Sequence, residues 1–241
     1  MMPVTHILVE GKDDLVFIRR LIEIMRADLP RLEWKLLSPG QDTITLGSGK
    51  FGNCFTTVGG AVIALSEVKG FARDPFPFSR YVKADNDYQV NQLVVLFDAD
   101  WPQTSDFGGF GQRLEYLAHN RFSKISIGKK FFLFPNNKND GTLENLAIAM
   151  IRPAIDFVIS KNWREYRDGL KRQLTKLSEP YLDDTAKCRM SQFCTVFDAE
   201  TAKDLYWIAA LWNEKVWDWN AVALNPLKQF LQTSIPQLFL A

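Results

Sequence analysis

Three short apolar runs, separated by helical patterns, constrain the fold of this chain more than any other feature. The runs are HILV at 6–9, LVVLF at 93–97 and KFFLFP at 130–135. Continuous apolar runs of this length are typical of strands buried on both faces, as in parallel sheets. Helical spacing of apolar residues occurs in 10–25, 113–120 and 141–151. Strands that alternate with helices predict an α/β fold, a Rossmann-like parallel sheet flanked by helices.

The segment between the first two runs gives weaker signals. EWKLLS at 33–38 predicts a second strand, and the glycine-rich residues 39–60 predict an irregular or hairpin region. A helix is expected near 59–68. The proline-punctuated stretch 71–81 is expected to be irregular.

The pattern changes after about residue 152, where long helical patterns replace the strands. We predict an α/β domain at 1–152 and an α-helical C-terminal region at 153–241 that packs on it.

Composition excludes several classes of protein. The 241 residues are 46% hydrophobic and 24% charged, as in a globular protein with a filled core. The net charge of +1 creates no global basic field, so a site for a polyanion must be local or assisted by a metal. With only two histidines, His6 and His119, a histidine-rich metal centre or a Ser-His-Asp triad is not expected. His6 lies in the first strand pattern and is expected to be structural.

Cysteine usage and apolar run length indicate the compartment. Cys54, Cys188 and Cys194 are odd in number and lack CxxC spacing, which favours a reducing cytoplasm and disfavours a zinc site. The N-terminus MMPVTHILVEG lacks the pattern of a signal peptide. Apolar runs elsewhere are shorter than the ~20 residues of a membrane span. We therefore expect a cytoplasmic protein without a membrane partner.

Two aspartates end the central apolar run, in LVVLFDADWP at 93–102. Successive side chains of a strand point to opposite faces, so Asp98 and Asp100 are expected to project the same way. Two carboxylates held close together repel each other, and a cation between them removes that cost. A turn at Pro102 explains one aspartate well and two poorly. The pair therefore predicts a metal site.

Further acids are expected at the same edge of the sheet. The first strand ends at Glu10, and the FFLF strand leads through PNNKNDG to Glu144. Ligands of open parallel sheets bind beyond the carboxyl ends of the strands. Convergence of these acids is a stronger signal than any single motif.

The sequence resembles the Toprim domain, the catalytic module of topoisomerases, primases and OLD-type nucleases. The resemblance rests on VEGKDD at 9–14 and on the strand-terminal DAD at 98–100, and it covers residues 4–150. The pair Glu10 and Asp14 and the segment PNNKNDGTLENL are most similar to the OLD-type branch, and closer still to small, uncharacterised bacterial Toprim proteins. The fold implied is Toprim-like.

The resemblance implies Mg²⁺- or Mn²⁺-dependent phosphodiester chemistry on nucleic acid, DNA or RNA, most simply by an OLD-like nuclease. Asp98 and Asp100 would hold one ion. Glu10 would be a second ligand or a general acid/base, and Asp14 and Glu144 would extend the cluster. Hard divalent cations prefer carboxylate oxygen, and two such ions can clamp the attacking and leaving oxygens at phosphorus.

Some of these acids have structural explanations. Asp13 is placed to cap the first helix, and Asp14 fits its first turn as well as it fits a metal site. Glu144 also lies in the first turn of a helix, where its charge complements the helix dipole. Glu10 has no such explanation, because the end of a buried strand does not require a glutamate.

Other residues give weaker signals. Lys12 and Lys138 are candidates to bind phosphate, as are Lys129 and Lys130, although such lysines are usually only solvated. LGSGKFG at 46–52 lacks the spacing of a nucleotide-binding loop, and GGFG at 108–111 predicts a turn before a helix. Four tryptophans, at 207, 212, 217 and 219, are considered for base stacking, but core packing is preferred, and only Trp217 and Trp219 are candidates for exposure.

Two functional alternatives remain open. The chain has no ATPase motif, so it fits a Toprim binding module that is catalytically silent or depends on a protein partner bound through the C-terminal helices. An aspartyl phosphatase is less consistent with the sequence. Its DxD motif ends the first core strand and precedes a small hydroxyl residue, whereas Trp101 follows DAD here.

Overall fold

A computed structural model describes most of the N-terminal part of the chain and its C-terminal end. The described residues are 2–27, 33–35, 44–46, 49–51, 53–56, 62–68, 88–103, 107–153 and 216–239. The expectations for 71–81 and for the long helical patterns at 154–215 therefore lie outside the described residues.

The described residues form a six-stranded sheet and a separate pair of antiparallel strands. The strands are β1 (Met2–Val9), β2 (Glu33–Lys35), β3 (Ile44–Leu46), β4 (Gly49–Phe51), β5 (Asn53–Thr56), β6 (Val62–Glu67), β7 (Tyr88–Asp98) and β8 (Gly128–Phe134). The large sheet has the order β2-β5-β6-β1-β7-β8, and β3 pairs with β4. The antiparallel pairing of β3 with β4 agrees with the hairpin expected within 39–60, and the rest of that region, apart from β5, lies outside the described residues.

Four neighbouring strands of the large sheet are parallel. β1 pairs in parallel with both β6 and β7, and β7 pairs in parallel with β8. β5 and β2 extend the sheet in the antiparallel sense. The predicted α/β class with a parallel sheet flanked by helices is confirmed.

The helices follow the strands as the apolar spacing predicts. They are α1 (Lys12–Met25), α2 (Phe110–Tyr116), which continues as a π-helix (Leu117–Arg121), α3 (Leu143–Ala149) and α4 (Asn225–Ser234). α1 buries Phe17, Ile18, Leu21 and Ile22 completely. Gly109, with φ of 91°, precedes α2, which confirms the turn expected at GGFG. None of the described helices is long and apolar enough to cross a membrane.

The helix expected near 59–68 was wrong, because Val62–Glu67 is strand β6. A short apolar run does not reveal by itself whether it is a buried strand or a buried helix. Five of the six positions of this strand are buried, so both of its faces are covered and no alternation with polar residues remains to identify it.

His6 has a structural role, as expected. It is fully buried in β1, and its Nε2 lies 2.8 Å from Oγ of Ser66 in the neighbouring strand β6. Buried polar groups need such partners.

The chain divides into two compact units. The first comprises residues 1–143 and 224–241, and the second comprises residues 144–223. The boundary predicted between 152 and 153 therefore lies inside the second unit, and α4 belongs to the first. In that unit the ring of Phe230 in α4 packs at 5.3 Å from the ring of Phe132 in β8.

Candidate metal and phosphate site at the carboxyl edge of the sheet

The strand register brings several acids to one edge of the sheet. Val9, the last residue of β1, pairs with Glu67 of β6 and with Leu96 of β7. Asp98 pairs with Phe134, the last residue of β8. The four parallel strands therefore end side by side, and Glu10 and Asp98 lie at this carboxyl edge.

Glu10 and Asp98 are in direct contact. The backbone N–H of Asp98 donates a hydrogen bond to Oε2 of Glu10, with 3.4 Å between the two atoms, across 88 positions of the sequence. Both residues are half-buried. The predicted convergence of strand ends is thus observed for this pair.

Asp98 is also tied to the loop that follows β8. Its Oδ1 accepts a hydrogen bond of 2.8 Å from the backbone N–H of Leu143, the first residue of α3. The first N–H groups of a helix have no partner within the helix, so a carboxylate is a natural acceptor for them. This contact fixes one oxygen of Asp98.

Asp100 has a different environment from Asp98. Strand β7 ends at Asp98, and Asp100 has a left-handed backbone with φ of 56°. Its backbone exchanges two hydrogen bonds with Gly141, of 2.8 and 2.9 Å. The alternation of side chains along a strand therefore does not extend to Asp100, contrary to the reasoning from the sequence.

The carboxylate of Asp100 forms an ion pair with the guanidinium of Arg113 in α2. The Arg113 side chain is 1% exposed and that of Asp100 is 23% exposed. Sequence reasoning missed Arg113, because an arginine in a helical pattern is usually solvated. A buried arginine supplies the positive charge that a metal was expected to supply to Asp100.

Asp14 completes the start of α1. Its Oδ2 accepts a 2.7 Å hydrogen bond from the N–H of Gly11, and the residue is 8% exposed. The helix begins at Lys12 with Gly11 as its N-cap, so the cap expected at Asp13 was wrong, and Asp13 lies in the first turn. A metal-binding role for Asp14 stays a prediction.

Glu144 is the first residue of the second unit. Its Oε2 is buried and has no hydrogen-bond partner within the described part of the chain. A buried carboxylate oxygen of this kind needs a partner. Its role as a metal ligand stays a prediction.

The candidate lysines differ in their contacts. Nζ of Lys129 donates to the carbonyl oxygens of Phe122 and Ile125, both at 2.9 Å, so it stabilises the turn before β8. Nζ of Lys130 lies 3.4 Å from the Thr233 carbonyl oxygen. Lys138 is exposed. The side chain of Lys12 lies outside what the structure describes.

The preferred core packing is confirmed for the two tryptophans of this group that the structure describes. Trp217 is 0% exposed and Trp219 is 6% exposed, so neither offers a face to a base, whereas Trp207 and Trp212 lie outside the described residues. Trp101 is 44% exposed and directly follows Asp100. Sequence reasoning did not consider it as a binding residue, because it was read only as the neighbour of the DAD motif.

The donors at this edge suit a hard cation. Carboxylate oxygen is the ligand preferred by Mg²⁺, which is usually held by one or two carboxylates and completed by water and substrate phosphate. Glu10 and Asp98 supply two carboxylates at this edge, and a metal-binding role for them stays a prediction. Among the described residues, no group of three or more His, Cys, Asp or Glu side chains is gathered to hold a metal ion.

The fold and this acidic edge define an α/β protein with a candidate site beyond the ends of its parallel strands. The chain belongs to the family described as "Protein of unknown function (DUF3226)", whose model matches residues 4–236.

One solved structure is similar, that of a hypothetical protein from Pyrococcus horikoshii OT3. It shares 18% identity, covers 99% of this chain and 98% of that chain, and has a TM-score of 0.48. No curated protein shows a significant match. These similarities carry no activity over to this chain.

Proposed function

We propose that this protein is a Toprim-like enzyme that hydrolyses phosphodiester bonds of nucleic acid with the help of Mg²⁺ or Mn²⁺. The observation that carries the proposal is the hydrogen bond between Asp98 N–H and the Glu10 carboxylate at the shared edge of β1 and β7. It joins the glutamate and the first aspartate of the two motifs on which the resemblance rests. The cysteine pattern favours action in a reducing cytoplasm.

Glu10 and Asp98 would hold the cation. When bound, it would neutralise the charge of a substrate phosphate and lower the pKa of a water molecule. Such help is needed, because the net charge of +1 gives the protein little general attraction for a polyanion.

The remaining residues have supporting roles. Asp98 is held by the N–H of Leu143, which keeps its carboxylate in place without substrate. Glu10, half-buried beside it, either completes the ligand set or transfers a proton to or from the reacting oxygen. Lys138 is exposed and is available to bind a phosphate. Trp101, which is 44% exposed and directly follows Asp100, is an aromatic side chain of the type on which unpaired bases stack.

A second candidate is a binding module that does not cleave or that cleaves only with a partner chain. It is favoured by the ion pair between Asp100 and Arg113, which occupies a carboxylate that Toprim enzymes are expected to use for metal. Only activity distinguishes this candidate from the enzyme.

The test is a cleavage assay of the purified full chain. Supercoiled plasmid, linear duplex, single-stranded DNA and single-stranded RNA are incubated with Mn²⁺, with Mg²⁺ and with EDTA. We expect metal-dependent nicking or cleavage with little sequence preference, because no recognition helix or basic arm is apparent in the sequence. Cleavage that persists in EDTA would contradict the proposal, and binding without cleavage would favour the second candidate.

A further inference from the structure

A cleft lies between the loop after β8 and helix α4, within the first unit. Its volume is about 600 Å³, a size typical of small-molecule sites. Carboxamide side chains dominate its lining, from Asn136 and Asn137 in the loop and from Asn225 and Gln229 in the helix. The ammonium of Lys138 and the half-buried ring of Phe230 complete the contacts used below.

The chemistry of this lining selects among classes of ligand. None of the described residues that line the cleft is acidic, so it does not suit a metal ion. The amides disfavour a purely apolar ligand, since their polar groups would lose water without gaining a partner. Amide groups offer a donor and an acceptor side by side, which matches the edge of a nucleobase, most closely adenine. The phenylalanine ring supplies a surface for base stacking.

The loop of the cleft is held in shape by its own hydrogen bonds. Asn137 donates its N–H to the Leu133 carbonyl at 2.7 Å, and its Oδ1 accepts the N–H of Leu133 at 3.0 Å. Oδ1 of Asn136 accepts the N–H groups of Lys138 and Asn139, at 3.2 and 3.0 Å. This pre-formed loop lowers the entropic cost of ordering a ligand.

The same loop contacts the candidate active site at its other end. Gly141 forms the two backbone hydrogen bonds with Asp100, and the N–H of Leu143 binds Asp98. The segment 136–143 therefore lines the cleft with its first residues and holds the two aspartates with its last.

We propose that the cleft binds a base of the nucleic acid substrate, presented as an unpaired nucleotide. The proposal rests on the phosphodiester function proposed above, and it names single-stranded nucleic acid as the substrate class. Gln229 and Asn225 contact the edge of the base, Phe230 contacts its face, and Lys138 binds an adjoining phosphate. A base in a duplex presents only its groove edges and cannot enter.

The test measures binding by fluorescence anisotropy in the Glu10→Gln background with Mn²⁺, so that the bound strand is consumed slowly. The probes are a short labelled oligoadenylate, as DNA and as RNA, and an abasic oligonucleotide of the same length. Gln229→Ala is the test variant, and Gln232→Ala is the matched control, because Gln232 is an exposed glutamine of the same helix outside the cleft lining. Both positions are exposed, so neither change should affect folding.

We expect Gln229→Ala to weaken binding of oligoadenylate about tenfold, the loss of one good base contact, and to leave the abasic probe unchanged. Lys138→Gln should weaken both probes equally, whereas Lys124→Gln, at another exposed lysine, should weaken neither. The proposal is overturned if the Glu10→Gln protein binds the oligoadenylate and abasic probes with equal affinity. It is also overturned if Gln229→Ala and Gln232→Ala bind oligoadenylate with equal affinity. If the cleft instead binds another ligand, such as a sugar, the oligoadenylate and abasic probes bind with equal affinity, which also overturns the proposal.

The two proposals fail in different ways. If the wild type cleaves nucleic acid and the variants of the cleft bind as the parent does, only the cleft proposal is wrong. If the wild type neither binds nor cleaves any of the nucleic acids tested, the proposed function is wrong and the cleft proposal is lost with it.

Discussion

Replacing Asp100 with asparagine should lower the free energy of unfolding by about 3 kcal/mol, because it breaks an ion pair whose arginine is buried. Arg113 is 1% exposed, so its charge cannot turn to water without opening the packing around α2. Denaturation by urea, monitored by circular dichroism, measures the effect.

A compensating variant makes the test specific. In Arg113→Met the unbranched side chain fills the space of the arginine stem. The double variant Asp100→Asn with Arg113→Met should lose less free energy of unfolding than the sum of the losses in the two single variants. Additive effects would show that the pair is not coupled. Glu115→Gln, at an exposed position of the same helix, serves as control and should be neutral.

Mn²⁺ should raise the melting temperature of the wild type, and Asp98→Asn should abolish the shift. A ligand present at 100 times its Kd stabilises the native state by about 2.7 kcal/mol, which corresponds to about 5–10 °C for a chain of this length. Differential scanning fluorimetry with Mn²⁺ and with EDTA measures the shift. Glu115→Gln should retain it in full.

The double variant Asp100→Asn with Arg113→Met separates the two aspartates. If Asp100 serves mainly to pair with Arg113, the double variant keeps the shift that Asp98→Asn loses. Loss of the melting-temperature shift in both the double variant and Asp98→Asn would support the prediction from the sequence that the two aspartates share an ion. A full shift in Asp98→Asn would remove the metal from this edge.

The parallel part of the fold could be predicted because its strands are buried on both faces and therefore appear as apolar runs. β1, β7 and β8 were recognised in this way. β6 was not, because VIALSE has no polar alternation and no flanking signal that distinguishes it from a helix. The acid at its end, Glu67, which pairs in register with Val9, was missed for the same reason.

The candidate site was only partly predictable. The proximity of Glu10 and Asp98 could be predicted, because parallel strands end at the same edge of a sheet. The pairing of Asp100 with Arg113 depends on a left-handed residue and on the packing of α2, neither of which leaves a pattern in the sequence. The N-cap of α1 is Gly11, two residues before the expected Asp13. Helix ends commonly differ by one or two residues from the position that a sequence pattern indicates.

The most direct test of the central claim is the rate of cleavage by Glu10→Gln under single-turnover conditions. The substrate is a labelled single-stranded oligonucleotide at saturating Mn²⁺, with wild type and Glu115→Gln as references. We predict that Glu10→Gln cleaves at least about 100-fold more slowly than the wild type, the size of one acid/base contribution, and that Glu115→Gln cleaves at the wild-type rate. If Glu10 transfers protons, Glu10→Gln keeps the Mn²⁺-induced stabilisation. If Glu10 is only a metal ligand, the cleavage rate and the stabilisation fall together. Cleavage by Glu10→Gln at the wild-type rate would contradict the account, because the chemistry would then take place elsewhere.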